Sequence, residues 1–185
     1  MKYAFVLFSV LLFFAAVSKG RIAAQDAPVF SDSRYFVKIS HSQCRLWLYE
    51  KTGEGLKFVR EYRAGTVKVG LKKFPLGLGY ITNIDFTPVW QPTAYTRWYF
   101  AKRKGINLPE SVPFGHPLNY MGSFRISLSH NVPGKGAIYR IHGVRSGEEH
   151  FVGTRVSGGC IRMLNEEGLE VSRKVSIGTP VEIIP

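Results

Sequence analysis

Apolar and polar residues alternate along several short stretches of the chain, which is the pattern of half-buried β-strands. In residues 44–49, for example, Cys44, Leu46 and Leu48 fall on one face, and the run 36–40 before them completes a hairpin. We therefore expect a mainly β fold. The predicted strands cover residues 36–40, 44–49, 56–64, 78–84, 124–128 and 137–141, with a turn and a closing strand within 177–183.

One stretch near the C-terminus has the features of a helix. Asn165 is a residue type that caps helix N-termini, and Glu166 and Glu167 follow it at the positive end of the helix dipole. This pattern predicts a single helix that begins at Asn165 and runs to about residue 175.

Residues 86–118 show no clear periodicity and are rich in proline, aromatic and basic residues. A stretch of this length is usually a functional loop or a disordered one, and the aromatic residues argue against disorder. Two interpretations stay open. The segment is either a lid-like loop, with Trp98 and Tyr99 in contact with a substrate polymer, or a surface excursion that folds back on the sheet.

The first residues have the pattern of a secretory signal. Lys2 precedes an apolar run over residues 3–17, and small residues follow at 16–18. The run is short for a membrane anchor, which needs about 20 apolar residues, although an uncleaved anchor stays the alternative. We expect a signal peptide over 1–18, a linker over 19–34 and a catalytic domain over 35–185, with no membrane span after cleavage.

Charge and export together narrow the partners. The chain has 25 Lys+Arg and 13 Asp+Glu, a formal net charge of +12, and loss of Lys2 with the signal leaves 24 − 13 = +11. Such a chain prefers an anionic partner. Export to the periplasm or cell wall makes nucleic acid a poor candidate and leaves envelope polymers and membrane surfaces.

The candidate chemistry lies at two residues, Cys160 and His142. Cys160 follows Gly158 and Gly159, which permit a tight turn whose backbone amides can stabilise an oxyanion. A thiol needs a base such as His142 to become a nucleophile near neutral pH. A Cys44–Cys160 disulfide is the competing interpretation, and composition alone favours it in an exported chain. No histidine pair has a zinc-site spacing, and no metal or other cofactor is predicted.

The order of these motifs resembles the L,D-transpeptidase catalytic domain, also called the YkuD-type domain. His142-Gly143, a spacer over 143–156, and Ser157-Gly-Gly-Cys160-Ile-Arg162 are similar to the family's His, spacer and Ser/Thr-His-Gly-Cys motif. Weaker similarities cover most of residues 35–185. They lie at 36–49, 62–66, 74–77, 115–122 and 177–183.

The resemblance implies an L,D-transpeptidase-type β-sandwich that acts on peptidoglycan stem peptides. Cys160 would be the nucleophile and His142 the general base and acid, with the Gly143 carbonyl orienting the imidazole and the Gly159 backbone amide receiving the oxyanion. Ser157 and Arg162 would position the loop and a substrate carboxylate, with a structural ion pair on the Cys160 loop as the equal alternative for Arg162. The acyl acceptor would be a second stem peptide, giving a 3→3 cross-link, or an envelope protein.

One position departs from the family pattern, because Gly158 stands where the family usually has histidine. This departure, with the basic loop, keeps one other function open, a wall-binding protein without catalysis. Two further alternatives rest on other grounds: a carboxypeptidase that uses water as acceptor, and an envelope protein stabilised by a Cys44–Cys160 disulfide. His116, His130 or His150 would be the possible sources of a replacement imidazole.

Overall fold

The computed structural model describes residues 33–71, 74–132, 134, 136 and 138–185, and eight of its strands build one curled β-sheet. The predicted signal peptide and nearly all of the predicted linker lie outside these residues. The elements in chain order are β1 (Tyr35–Ser40), β2 (Arg45–Thr52), β3 (Gly55–Arg63), β4 (Thr66–Val67), β5 (Gly77–Asp85), α1 (Ala94–Lys104), β6 (Arg125–Leu128), β7 (Arg140–His142), a 3₁₀ turn (Glu149–Phe151), β8 (Arg155–Ser157), β9 (Ile161–Arg162), α2 (Asn165–Lys174) and β10 (Pro180–Ile184).

The main sheet has eight strands in the order β3-β2-β1-β10-β5-β6-β7-β9, and β4 pairs with β8 beside it. The alternation that predicted β1 and β2 is visible in their burial, since Val37 and Ile39 face the core together with Leu46 and Leu48. The C-terminal strand β10 lies in the middle of the sheet, parallel to β1 and antiparallel to β5. The two halves of the chain therefore share one core.

The mainly β fold class is confirmed, and so is the helix near the C-terminus. Helix α2 carries Glu166 and Glu167 in the first turn and Arg173 and Lys174 in the last, as the helix dipole favours. Gly168 is required in its middle because a Cβ there would collide with the ring of Phe124. Burial against the sheet therefore outweighs the poor helix propensity of glycine.

The expectation of one helix was wrong, because residues 86–118 contain the helix α1. Thr93 caps its N-terminus by accepting a hydrogen bond from the Thr96 amide, and Gly105 ends it with a φ of 65°. The helix contributes only Phe100 to a small second core, so its sequence lacks an apolar stripe. The other buried residues of this second core are Trp90, Leu108, Val112 and Met121.

His41, in the turn between β1 and β2, is enclosed by the core. Its Nε2 lies 3.3 Å from the Tyr139 hydroxyl, and its ring packs edge-on against Phe74. Burial, and secondarily the charge of Arg155, lowers the pKa of His41 from 6.5 to about 4. The ring is therefore neutral in the folded chain at neutral pH.

This burial predicts a pH-dependent loss of stability that His41→Gln should reduce. The folded-state pKa is the lower one, so the unfolded chain takes up the proton first as pH falls below 6.5. The stabilisation is complete above pH 6.5 and is lost as the pH approaches 4. Between about pH 7 and 5, the free energy of unfolding measured in urea should fall by about 2 kcal/mol less in His41→Gln than in the wild type.

The matched control is His150→Gln, because the His150 side chain is exposed and lies outside the core that encloses His41. We expect this variant to keep the wild-type decline. An equal decline in His41→Gln and wild type would contradict the assignment.

Candidate active site

The strand register sorts the residues of β5, β6, β7 and β9 into a buried face and a polar face. Ile84, Ile126, Ile141 and Ile161 are paired across the four strands and form one row. The neighbouring positions form a polar row, in which Asp85 is paired with Arg125, Arg125 with His142, and His142 with Arg162. Since side chains alternate between faces, burial of the isoleucines directs the polar residues to the opposite face.

His142 lies on this polar face, and the strand register brings Cys160 to the same edge of the sheet. Ile141 and Ile161 are partners in a parallel pair, so Cys160 precedes β9 at the level of Arg140, two positions along the strand from His142. A hydrogen bond from the Arg140 backbone to the thiol agrees with this placement, since it contributes to the pKa of Cys160. The two residues that the sequence motif singled out are thus brought to one edge of the fold.

The tautomer of His142 follows from its hydrogen bond. Its Nδ1 lies 2.6 Å from the Gly143 carbonyl oxygen, and because a carbonyl only accepts, Nδ1 carries the proton. The other ring nitrogen, Nε2, then keeps its lone pair and is able to accept a proton. The Gly143 amide is held in turn by the Phe124 carbonyl, at 3.2 Å.

Asn165 fixes the loop after His142, which is a role that the sequence did not predict. Its Oδ1 accepts hydrogen bonds from the amides of Ser123 and Val144 at 3.0 and 3.3 Å, and its Nδ2 donates to the Val144 carbonyl at 2.8 Å. The expectation that Asn165 caps α2 was wrong, since Leu164 is the N-cap and makes no side-chain cap bond. The side chain that precedes the two acids serves a distant loop instead.

The turn that carries Cys160 is closed by Ser157. The Ser157 hydroxyl donates to the Cys160 carbonyl at 2.5 Å and accepts from the Gly159 amide at 3.1 Å. Gly159 has a φ of 155°, which disfavours any residue with a Cβ. The predicted oxyanion donor Gly159 thus uses its amide inside the turn in the free protein. At Gly158 an added Cβ would meet no atom within 4 Å.

The electrostatics favour a neutral thiol and a neutral imidazole. Burial, assisted by the charges of Arg162 and Arg140, lowers the pKa of His142 to about 4. Burial raises the pKa of Cys160, and the charges of Arg140 and Arg162 oppose this rise. At neutral pH the proton therefore stays on sulfur until a reaction moves it to His142.

The remaining predicted site residues are Arg162, on β9 beside His142, and Trp98 and Tyr99, on α1. Arg162 places its guanidinium 5.7 Å from the centre of the Phe151 ring, and its backbone is paired with Gly65. Trp98 and Tyr99 lie on α1, where the ring of Tyr95 contacts both of them.

The other cysteine and histidines have structural contacts. Cys44 is free, like Cys160, and its sulfur lies 3.6 Å from the His41 carbonyl and the Thr66 hydroxyl. His130 contacts the Gly77 carbonyl, His116 accepts from the Leu118 amide, and the His150 ring lies 4.0 Å from the Phe151 ring at an angle of 45°. Among the described residues no group of His, Cys, Asp and Glu is arranged to hold a metal ion, and no helix is long and apolar enough to cross a membrane.

A groove of about 450 Å³ begins beside the loop that follows His142. It runs between that loop and the segment 114–123, with Arg145 and Asn165 in its walls. Its walls include neither His142 nor Cys160.

Fold and site together define a mainly β protein with a thiol–imidazole pair at one sheet edge. The sequence model of the L,D-transpeptidase catalytic domain (YkuD) matches residues 34–183. The chain belongs to this family, as its motifs indicated.

Curated relatives agree with this family. The Salmonella typhimurium protein ErfK/SrfK, named as a probable L,D-transpeptidase, is 37% identical over 135 residues, 66% of this chain and 40% of that protein. Escherichia coli K12 YcfS, named likewise, is 32% identical over 160 residues, 86% of this chain and 45% of that protein. The chain thus spans less than half the length of these two relatives.

Solved structures share the fold. Bdellovibrio bacteriovorus Bd1075 aligns with a TM-score of 0.55 at 19% identity, covering 82% of this chain and 48% of that one. The L,D-transpeptidase LdtMt1, solved in complex with imipenem, aligns with a TM-score of 0.53 at 14% identity, covering 82% and 59%.

The protonation states predict how the reactivity of Cys160 depends on pH. His142 stays neutral above about pH 4 and the thiol pKa is raised, so the rate of alkylation by iodoacetamide should rise continuously from about pH 6 to 9. Mass spectrometry of the Cys160 peptide measures this rate. A rate that is constant below pH 7 would instead indicate a preformed thiolate–imidazolium pair and would contradict the assignment. His150→Gln is the control and should leave the profile unchanged.

Proposed function

We propose that this protein is a peptidoglycan L,D-transpeptidase in which Cys160 forms a thioester with a stem peptide. The observation that carries the proposal is the hydrogen bond from His142 Nδ1 to Gly143, which leaves Nε2 as a base on the polar face that Cys160 shares. Membership of the L,D-transpeptidase family supplies the reaction class.

In the first half of the reaction, the Cys160 sulfur attacks the carbonyl of the third stem residue, a diamino acid, and its proton passes to His142 Nε2. A carbon–sulfur bond forms, and the carbonyl electron pair moves to oxygen. When the intermediate collapses, the carbon–nitrogen bond to the terminal D-Ala breaks, and the departing amine takes the proton from Nε2. The products are a thioester and free D-Ala.

In the second half, an acceptor amine attacks the thioester and gives its proton to the same nitrogen. The carbon–sulfur bond breaks, and the sulfur recovers a proton from His142. A second stem peptide as acceptor gives a 3→3 cross-link. An envelope protein as acceptor becomes anchored to the wall. Water as acceptor makes the enzyme a carboxypeptidase. Muropeptide analysis after incubation with purified sacculi distinguishes these products.

Backbone amides at the Cys160 turn would stabilise the oxyanion. The Gly159 amide donates to the Ser157 hydroxyl at 3.1 Å in the free protein. Its role as an oxyanion donor therefore requires a small rearrangement of the turn when substrate binds. Catalytic hydrogen bonds often reach their final geometry only in the complex.

Helix α1 would hold the wall polymer. Tyr95, Trp98 and Tyr99 are 71%, 54% and 41% exposed, and the ring of Tyr95 lies within 30–32° of parallel to the other two. Lys102, Arg103 and Lys104 follow in the last turn, and the first turn has no acidic residue. A flat aromatic surface beside cations suits a polymer of sugar rings and carboxylates. Export across the inner membrane to the periplasm or cell wall belongs to the same proposal.

Reaction with a carbapenem tests the nucleophile. Intact mass spectrometry should show a covalent adduct on the wild type and on Cys44→Ala, and none on Cys160→Ala. His142→Ala should lower the acylation rate by about 100-fold or more, because proton transfer to Nε2 is lost. Gly158→His should leave acylation intact or increase it, since the structure has space for the side chain.

The alternative functions give other outcomes. A wild-type protein that forms no adduct but sediments with sacculi would be a wall-binding protein. Thiols that react only after reduction would indicate the Cys44–Cys160 disulfide. Acylation of His142→Ala at the wild-type rate would refute the assignment of the base.

Sedimentation with purified sacculi tests α1. Trp98→Ala and Tyr99→Ala should each weaken binding about three- to tenfold, the effect expected for loss of one aromatic contact. Phe58→Ala is the matched control, because its ring is 56% exposed but lies on β3 at the far edge of the sheet. Equal weakening in all three variants would refute a specific role for α1.

A further inference from the structure

Two arginines beside Cys160 have no acidic partner. Across the described part of the chain, seven Lys or Arg side chains form ion pairs with Asp or Glu, and neither Arg140 nor Arg162 is among them. Arg125, in the same polar row, is 2.7 Å from Asp85 and is thereby neutralised. The uncompensated charge of the row is therefore concentrated where the thiol lies.

The strand register places both guanidinium-bearing residues around the reacting pair. Arg162 is the strand partner of His142, and Arg140 stands at the level of Cys160. Residues two apart on a strand share a face, so Arg140 is on the same face as His142. Both arginines are half-buried, and the charges of both act on the thiol and on the imidazole.

Half-buried cations without counter-charges are costly, and an anionic ligand would relieve the cost. A guanidinium offers parallel N–H donors that match a carboxylate, which makes it more selective for that group than an ammonium. The Phe151 ring near Arg162 leaves this use open, because a ring contacts the face of a guanidinium while a carboxylate binds its edge.

We propose that Arg140 and Arg162 together bind a free carboxylate of the acyl donor, next to the carbonyl that Cys160 attacks. The pair then selects donors with a free carboxylate over donors in which that group is amidated. The identity of the donor rests on the proposed function, whereas the preference of the Cys160 site for small anions does not.

Two alkylating reagents of nearly equal size isolate this preference. Iodoacetate and iodoacetamide both form a carbon–sulfur bond with release of iodide, and they differ by one carboxylate. The ratio of their rates at Cys160, measured by peptide mass spectrometry, cancels changes in thiol reactivity. We expect Arg140→Gln and Arg162→Gln each to lower the iodoacetate-to-iodoacetamide ratio about three- to tenfold relative to wild type.

One further variant tests whether the planar guanidinium matters beyond its charge, and a second tests whether the net charge of the protein alone changes the ratio. Arg140→Lys keeps the charge without the planar fork, and its ratio should lie between those of wild type and Arg140→Gln. Arg173→Gln removes an exposed arginine on α2 and should leave the ratio unchanged. A ratio that stays at the wild-type value in Arg140→Gln would overturn the proposal, even if the iodoacetamide rate changed.

Stem tetrapeptides with a free or an amidated C-terminus then test the donor directly. In the wild type the free-acid peptide should have a lower KM than the amidated peptide. Arg140→Gln should reduce this difference in KM. The KM for the amidated peptide should be the same in wild type and variant. Normal carbapenem acylation with an unchanged reagent ratio would overturn this inference alone. A shifted ratio without any reaction of stem peptides would leave the anion site in place and refute the proposed function.

Discussion

The register between β7 and β9 is the constraint on which the rest of the site depends. β9 has only two residues, and a shift by one position would exchange Ile161 for a polar neighbour on the buried face. Burial of Ile141, Ile161 and Met163 therefore fixes the register energetically. Backbone hydrogen bonds between Arg162 and Gly65, and from the Met163 amide to the His142 carbonyl, fix it geometrically. Both residues of the reacting pair take their positions from this pairing.

The same burial that positions the pair also determines how it works. Removal of water disfavours both ions, so the thiol stays protonated and the imidazole neutral. Arg140 and Arg162 stabilise a thiolate but destabilise an imidazolium, so they act on the two partners in opposite directions. A mechanism in which His142 holds the proton only transiently fits this arrangement better than a permanent ion pair does. The hydrogen bond to Gly143 serves that mechanism, because it keeps Nε2 unprotonated between steps.

The sequence was most informative where one local pattern determined the outcome. The alternation of apolar and polar residues located the long strands. The His142 and Cys160 motifs identified the two residues that the fold brings to one edge of the sheet. Helix α1 was not predicted because it buries only Phe100, so apolar residues do not recur along it at the helical spacing. Strands β4, β8 and β9 are too short for periodicity. Asn165 is a residue type that often caps helices, but the backbone groups that it hydrogen-bonds, at Ser123 and Val144, are distant in sequence. Arg140 had no local feature to distinguish it, since its importance depends on the strand beside it.

The charge of the chain also has two physical components that composition could not separate. The cations at the end of α1 are exposed, and ions at physiological strength screen their attraction for a polymer beyond about 8 Å. Arg140 and Arg162 are half-buried on the polar face of the sheet, where screening is weaker. Salt should therefore weaken retention on the wall well before it weakens recognition of a carboxylate at Cys160. Under the proposed function, the net charge of +12 serves two tasks at different ranges: the exposed cations keep the protein near the polymer, and the two arginines select which stem peptide reacts.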